Sequence, residues 1–153
     1  MTTSSHRGAV AIVTNVGRTR FFVQRKDADY RPHPRGFSLF GGAIEPDESP
    51  AAALARELVE ELGEGAATLR AAPAVPVFLA RTLAAGFTVS LFEIVLDDGA
   101  LEACAAVPVL EGECGEVVDR DRLRALDWIA GVDELVAAYL EQRSAGARGR
   151  TDP

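Results

Sequence analysis

Three glutamates lie close together near the middle of the chain, in the segment ARELVEELGE. At about 100° per residue, Glu57, Glu60 and Glu61 fall on one side of a helix. Like charges four residues apart destabilise a helix by a few tenths of a kcal/mol per pair, and no lysine on this face relieves the repulsion. Carboxylate oxygens converging at one end of a helix are what Mg²⁺ or Mn²⁺ binds. We therefore expect a divalent metal site formed by these three side chains.

The helix that carries them is predicted over residues 50–62. Ser49 suits the N-cap, Pro50 the first helical position, and Gly63 the C-terminal cap. The face opposite the carboxylates is expected to pack on a core through Ala55, Leu58, Val59 and Leu62.

Residues 42–64 resemble the Nudix box, G-x5-E-x7-R-E-U-x-E-E-x-G-U, in which U is aliphatic. The positions that match are Gly42, Glu48, Arg56, Glu57, Leu58, Glu60, Glu61 and Gly63. Glu64 stands where the last aliphatic residue belongs, and we expect this departure to affect local packing and not metal binding. The resemblance implies an α/β fold, an α/β/α sandwich with a mixed sheet and a loop–helix–loop. It also implies hydrolysis of a nucleoside diphosphate linked to another moiety.

The resemblance assigns roles to individual residues. It implies that Glu57, Glu60 and Glu61 bind Mg²⁺ (or Mn²⁺) and that the carbonyl of Gly41 is a further ligand. It implies an ion pair between Glu48 and Arg56 that braces the loop–helix–loop. We place Arg56 off the carboxylate face of the helix. The residues of this structural brace are Gly42, Glu48, Arg56 and Gly63.

A further carboxylate is expected from the loop EGECGEV, residues 111–117. This loop resembles that of bacterial enzymes that hydrolyse oxidised guanine nucleotides, in which the first glutamate is functional. The comparison selects Glu111, with Glu113 and Glu116 in reserve. Either Glu57 or Glu111 would serve as the base that activates water. The predicted catalytic residues are Arg56, Glu57, Glu61 and Glu111.

Composition limits the possible partners. A net charge of −7 argues against nucleic-acid binding, because such domains carry basic patches. The segment MTTSSHRG lacks the apolar run of a signal peptide, and no apolar stretch is long enough to span a membrane. We expect a cytoplasmic protein with a small-molecule nucleotide substrate, no membrane contact and a possible homodimer. Arg25 and Arg35 are possible phosphate contacts, although solubilising loop charges explain them equally well.

The remaining elements are predicted from hydrophobic periodicity and turn residues. One domain is expected over residues 1–143, and residues 144–153 are expected to be a disordered tail. Cys104 and Cys114 fit no zinc pattern; unpaired thiols are expected, and a disulfide is the less favoured alternative. The predicted strands are 9–15, 19–26, 75–81, 87–98 and 116–119, with a terminal helix over 132–142.

Two other functions remain open at this point. A domain of this fold could bind a nucleotide or nucleotide sugar as a non-catalytic regulatory module, but the intact glutamates and Arg56 argue against that. A purely structural domain would use the acidic helix as a solvated surface. The substrate itself is not determined by these residues.

Overall fold

Within residues 7–148, which this computed structural model describes, seven strands form one mixed sheet. The strands are β1 Arg7–Asn15, β2 Arg20–Arg25, β3 Phe37–Ser38, β4 Phe40–Ala43, β5 Ala74–Thr82, β6 Thr88–Leu96 and β7 Cys114–Asp119. The α-helices are α1 Pro50–Leu62, α2 Ala66–Ala71, α3 Asp98–Ala103, α4 Arg120–Ala125 and α5 Val132–Arg148. Short 3₁₀ turns follow α1 and α3, at Gly63–Gly65 and Cys104–Ala106.

Strand β1 is the centre of the sheet because three strands pair with it. It runs parallel to β6 along its whole length, from Arg7 opposite Thr88 to Asn15 opposite Leu96. Its other edge is shared: β4 pairs antiparallel with its first half and β2 with its second half. Because this edge is divided between two strands, the glycines of β4 lie beside the first half of β1.

Two apolar layers lie on the two faces of the sheet. Alternation along β1 sends Ala9, Ala11 and Val13 to one face and Ile12 to the other, as the two-residue period of a strand requires. The first layer packs against α1, α2 and α3, and the second against α4 and α5. A strand covered on both faces reads as a continuous apolar run, which is what AVAIV shows. The α/β/α sandwich with a mixed sheet is therefore confirmed.

The predicted strands and the two long helices are confirmed, whereas three helices of six residues each were missed: α2, α3 and α4. Helix α5 continues to Arg148, beyond the predicted end at residue 142. The expected tail thus begins inside α5, and residues 149–153 lie outside the described residues. Both cysteines are unpaired, as expected. In the described part of the chain, no helix is long and apolar enough to cross a membrane.

A buried carboxylate fastens α5 to the sheet. Glu93, on β6, is 3% exposed and receives hydrogen bonds from Arg18, Arg143 and the hydroxyl of Tyr139. Burial alone would raise the pKa of Glu93, but Arg18, Tyr139 and Arg143 together hold it below its ordinary value. Because the carboxylate is ionised and fully satisfied, it fixes where the second half of α5 lies.

Tyr139→Phe should lower the free energy of unfolding by about 1–2 kcal/mol, because it removes one donor from a buried charge while keeping the ring. Urea denaturation at pH 7 measures this change. Tyr30→Phe, which changes the other tyrosine of the chain on a surface loop, is the matched control and should stay within about 0.5 kcal/mol. Equal stabilities for the two variants would show that the Tyr139 hydroxyl contributes nothing.

Candidate active site

The loop–helix–loop has the boundaries that its sequence predicts. The Ser49 side chain accepts a hydrogen bond from the Ala52 amide at 3.1 Å, and Pro50 begins α1. At the other end, Gly63 has φ 57°, and its N–H donates to the Val59 carbonyl. Only glycine adopts that backbone conformation without strain, so the box glycine ends the helix sharply.

The carboxylates are distributed over the helix differently from the prediction. Glu61 is 2% exposed and lies on the buried side, whereas Val59, expected in the core, is 41% exposed. The reason is the helical period: Leu54, Leu58 and Glu61 are spaced by four and three residues and so share one stripe. The carboxylates therefore do not form a solvated face, since one of them is inserted into the protein.

The two glycines of β4 make room for these carboxylates. The amide of Gly41 donates to Oε1 of Glu61 at 2.7 Å. A Cβ on Gly42 would lie 2.6 Å from the carboxyl carbon of Glu57, closer than real contacts allow. Gly42, which the resemblance assigns to the structural brace, therefore provides the space that the Glu57 side chain occupies.

Burial and mutual repulsion make these carboxylates hard to ionise. Burial raises the pKa of Glu61 to about 7, a change that the Gly41 amide and Lys26 oppose and the charge of Glu57 reinforces. Burial likewise raises the pKa of Glu57, against the effect of Arg56, and the charges of Glu60 and Glu111 raise it further. In the absence of a cation, the site therefore holds a proton near neutral pH.

Arg56 joins the loop before the helix to the carboxylates. Its guanidinium donates to both oxygens of Glu48 at 2.9 Å, which is the expected brace. It also reaches Glu57 at 3.0 Å and Glu60 at 3.2 Å, so its placement off the carboxylate face was wrong. One guanidinium can bind Glu48 and the helix glutamates at the same time, because Arg carries five donors. The guanidinium lowers the pKa of Glu48 to about 2.

The loop that carries Glu111 is fastened to α1. The amide of Leu110 donates to the main-chain carbonyl of Glu61 at 2.7 Å. This bond brings Glu111 near the carboxylates, and its charge is one of those that raise the pKa of Glu57. Glu111 forms no ion pair with any residue from 7 to 148.

The two reserve glutamates of that loop are held by arginines. Glu113 lies 3.4 Å from Arg25 and 3.6 Å from Arg35. Glu116 lies 3.2 Å from Arg122. The structure thus places Arg25 and Arg35, the possible phosphate contacts, beside Glu113. Of the three loop glutamates, Glu111 is the one without an ion pair among the described residues.

The oxygen ligands that the site offers, which are carboxylates, are of the kind that a hard divalent cation binds. Several carboxylates act electrostatically on one another, and a glycine strand leaves space beside them. No group of three acidic, histidine or cysteine side chains is yet arranged around a common point within residues 7–148. Arg56 instead forms ion pairs with Glu57 and Glu60 and partly neutralises them. A cation would thus compete with this guanidinium for the same oxygens.

A cleft of about 600 Å³ opens beside the glycine strand. Its floor includes Gly41 and Gly42, and two cations, Arg7 and Lys26, line it. Sequence reasoning missed Arg7, because the pairing of the start of β1 with β4 and β6 is what brings it to the cleft. The apolar wall comes from the β5–β6 hairpin and the start of α5, through Leu83, Phe87, Val89, Ile129, Val132 and Leu135.

Comparison with solved structures shows the same fold in several proteins. A mutT/nudix family protein from Listeria innocua superposes with a TM-score of 0.72 at 16% identity, over 95% of this chain and 98% of that one. MutT, from a study of Aliivibrio salmonicida and Vibrio cholerae, gives 0.60 at 20% identity, over 88% and 95%. The Escherichia coli dihydroneopterin triphosphate pyrophosphohydrolase gives 0.63 at 14% identity, over 92% and 99%.

No curated protein matches the chain significantly. The family model described as the NUDIX domain, however, matches residues 4–135, which includes the loop–helix–loop, the glycine strand and the Glu111 loop. The chain belongs to the Nudix family, and this membership supports a general assignment as a pyrophosphohydrolase.

Proposed function

We propose that the chain is a divalent-metal-dependent hydrolase that cleaves the pyrophosphate bond of a nucleoside diphosphate linked to another moiety. The observation that carries the proposal is the packing of the buried Glu61 and the half-buried Glu57 against the glycine strand, beside a cleft of about 600 Å³. Clefts of that size hold ligands of nucleotide dimensions. The E. coli structural neighbour is itself named a pyrophosphohydrolase.

Mg²⁺ or Mn²⁺ would be held by Glu57, Glu60, Glu61 and Glu111, with the carbonyl of Gly41 as a further ligand. When bound, such a cation neutralises phosphate charge and lowers the pKa of water.

The residues of this chain have separate tasks in hydrolysis. Glu57, whose pKa is raised by burial, is our first choice to accept the proton of the attacking water, and Glu111 is the second. Arg56 and Glu48 hold the entry to α1 in place and keep the glutamates in register. Their pairing fixes geometry more than it adds stability.

The cleft would receive the part of the substrate beyond the diphosphate. Lys26 lies close enough to lower the pKa of Glu61, so a phosphate chain beside the carboxylates would be within its influence. The apolar wall suits a base or a sugar face. The products would be a nucleoside monophosphate and either pyrophosphate or a phosphorylated moiety.

We further propose that residues 1–143 act as one domain with small-molecule nucleotide substrates, in the cytoplasm, without nucleic-acid or membrane contact. The net charge of −7 supports the absence of a nucleic-acid surface. A homodimer is compatible with this assignment.

The test is turnover with Mg²⁺ or Mn²⁺ across nucleoside triphosphates, oxidised dGTP, nucleotide sugars, ADP-ribose and dinucleoside polyphosphates, with products separated by chromatography. We expect metal-dependent release of a monophosphate. Combining Glu60→Gln with Glu61→Gln should reduce the rate by about 10²–10⁴-fold, because the substrate charge is no longer neutralised.

Glu64→Gln is the matched control for that experiment, because Glu64 is an exposed acid just beyond the same helix. It should retain the wild-type rate. Metal binding without any turnover would favour a non-catalytic binding module, and an unaffected double variant would refute the proposed site.

Without metal, Glu61 should make the folded chain less stable as the pH rises. Its pKa is raised from 4.5 to about 7, so the stability linked to its protonation is present below about 4.5 and is lost through about 7. Between pH 5 and pH 8, the wild type should lose about 2–3 kcal/mol relative to Glu61→Gln. Denaturation in EDTA measures the difference. Parallel curves for the two proteins would show that Glu61 is not held in an unfavourable environment.

A further inference from the structure

A buried glutamine lies beneath the site, on β2. Gln24 is 0% exposed, and its Nε2 donates to the main-chain carbonyl of Glu111. The same side-chain amide lies near enough to the Glu61 carboxylate to lower its pKa. The loop that Gln24 holds is itself bound to the helix, because the Leu110 amide donates to the Glu61 carbonyl. Gln24 therefore lies where the helix and the loop that supply carboxylates meet, although these are about fifty residues apart in sequence.

The loop is shaped to reach this amide. Gly112, next to Glu111, has φ 127°, a region that other residues rarely adopt. A Cβ there would lie 2.9 Å from the carbonyl oxygen of Arg25 and 3.1 Å from Nε2 of Gln24. The loop thus lies directly on β2, and glycine is what permits this contact. The amide of Glu113 also donates to the Arg25 carbonyl, at 2.9 Å.

Judged by the stability of the folded state alone, a polar side chain at position 24 is unfavourable. Its Oε1 is buried and has no hydrogen-bond partner among the described residues. Turning the amide over would not help, because an oxygen would then face the carbonyl oxygen of Glu111. A buried acceptor without a partner destabilises the folded state, and an apolar side chain of similar shape would avoid that cost. The amide is therefore better explained by what it holds than by packing.

We propose that Gln24 is a positioning residue that fixes the Glu111 loop relative to Glu61, so that both carboxylates face the same substrate. The inference rests on the proposed function, because it concerns how that site is assembled. Gln24 acts through its two neighbours and touches no reacting atom. Partners that orient metal ligands in this way are worth about 10–100-fold in metal affinity or activity.

The test compares Gln24→Met with Thr14→Val. Thr14 is also 0% exposed, lies on the neighbouring strand, and donates to the Arg20 carbonyl at 2.8 Å, outside the site. Both variants replace a buried polar side chain with an apolar one of similar size. The measurements are Mn²⁺ binding by calorimetry with the metal alone, kcat and KM, and the melting temperature.

We expect Gln24→Met to bind Mn²⁺ about 10–100-fold more weakly and to lose kcat by a similar factor, with KM within about threefold. Its effect should be less than multiplicative with that of Glu111→Gln, because both act on one loop. Thr14→Val should alter only the melting temperature.

If Gln24→Met does not fold, Gln24→Asn keeps an amide but is too short to reach Glu111, and it should show the same loss. A folded Gln24 variant with wild-type Mn²⁺ affinity and kcat would overturn the inference while leaving the hydrolase intact. A wild type that neither binds Mn²⁺ nor turns over any substrate would instead refute the proposed function.

Discussion

The constraint on which the site depends is the burial of the Glu61 carboxylate against the amide of Gly41. A carboxylate that is 2% exposed and has one main-chain donor at 2.7 Å is poorly compensated for the water it has lost. Its pKa near 7 expresses that deficit. A divalent cation beside the carboxylate would supply the missing compensation, so the arrangement suits a metal site.

Much of the surrounding structure follows from that constraint. The glycine strand packs closely against α1, and it can do so only because Gly42 has no side chain to displace Glu57. Arg56 partly neutralises Glu57 and Glu60, and its pairing with Glu48 fixes the start of the helix. These contacts reduce the repulsion without abolishing it. Enzyme sites commonly retain unfavourable electrostatics of this kind, at a cost in stability.

The sequence predicted the parts of the site that are local. The ends of α1 were predictable because Ser49, Pro50 and Gly63 each act on the backbone next to them. The box glutamates were identifiable by their spacing. All three glutamates were predicted to lie opposite the core, and this was wrong for Glu61, because it shares a helical stripe with Leu54 and Leu58.

Features that depend on distant pairing escaped prediction. Arg7 reaches the cleft only because β4 and β6 flank the start of β1. Gln24 is one of three polar residues in β2, and nothing in the sequence distinguishes it, because its contact with the Glu111 loop depends on the folded chain. The short helices α2, α3 and α4 have six residues each, too few for periodicity to show. Arg56 was misplaced because helical geometry locates its Cα and not the reach of its guanidinium.

The most direct test is calorimetric titration of the chain with Mn²⁺ at pH 6, in two buffers of different ionisation enthalpy. If Glu61 holds a proton that the metal must displace, binding should release about one proton per protein, and the release should disappear at pH 8. Binding with no proton release at pH 6 would show that the carboxylates are already ionised. The absence of binding would contradict the account as a whole.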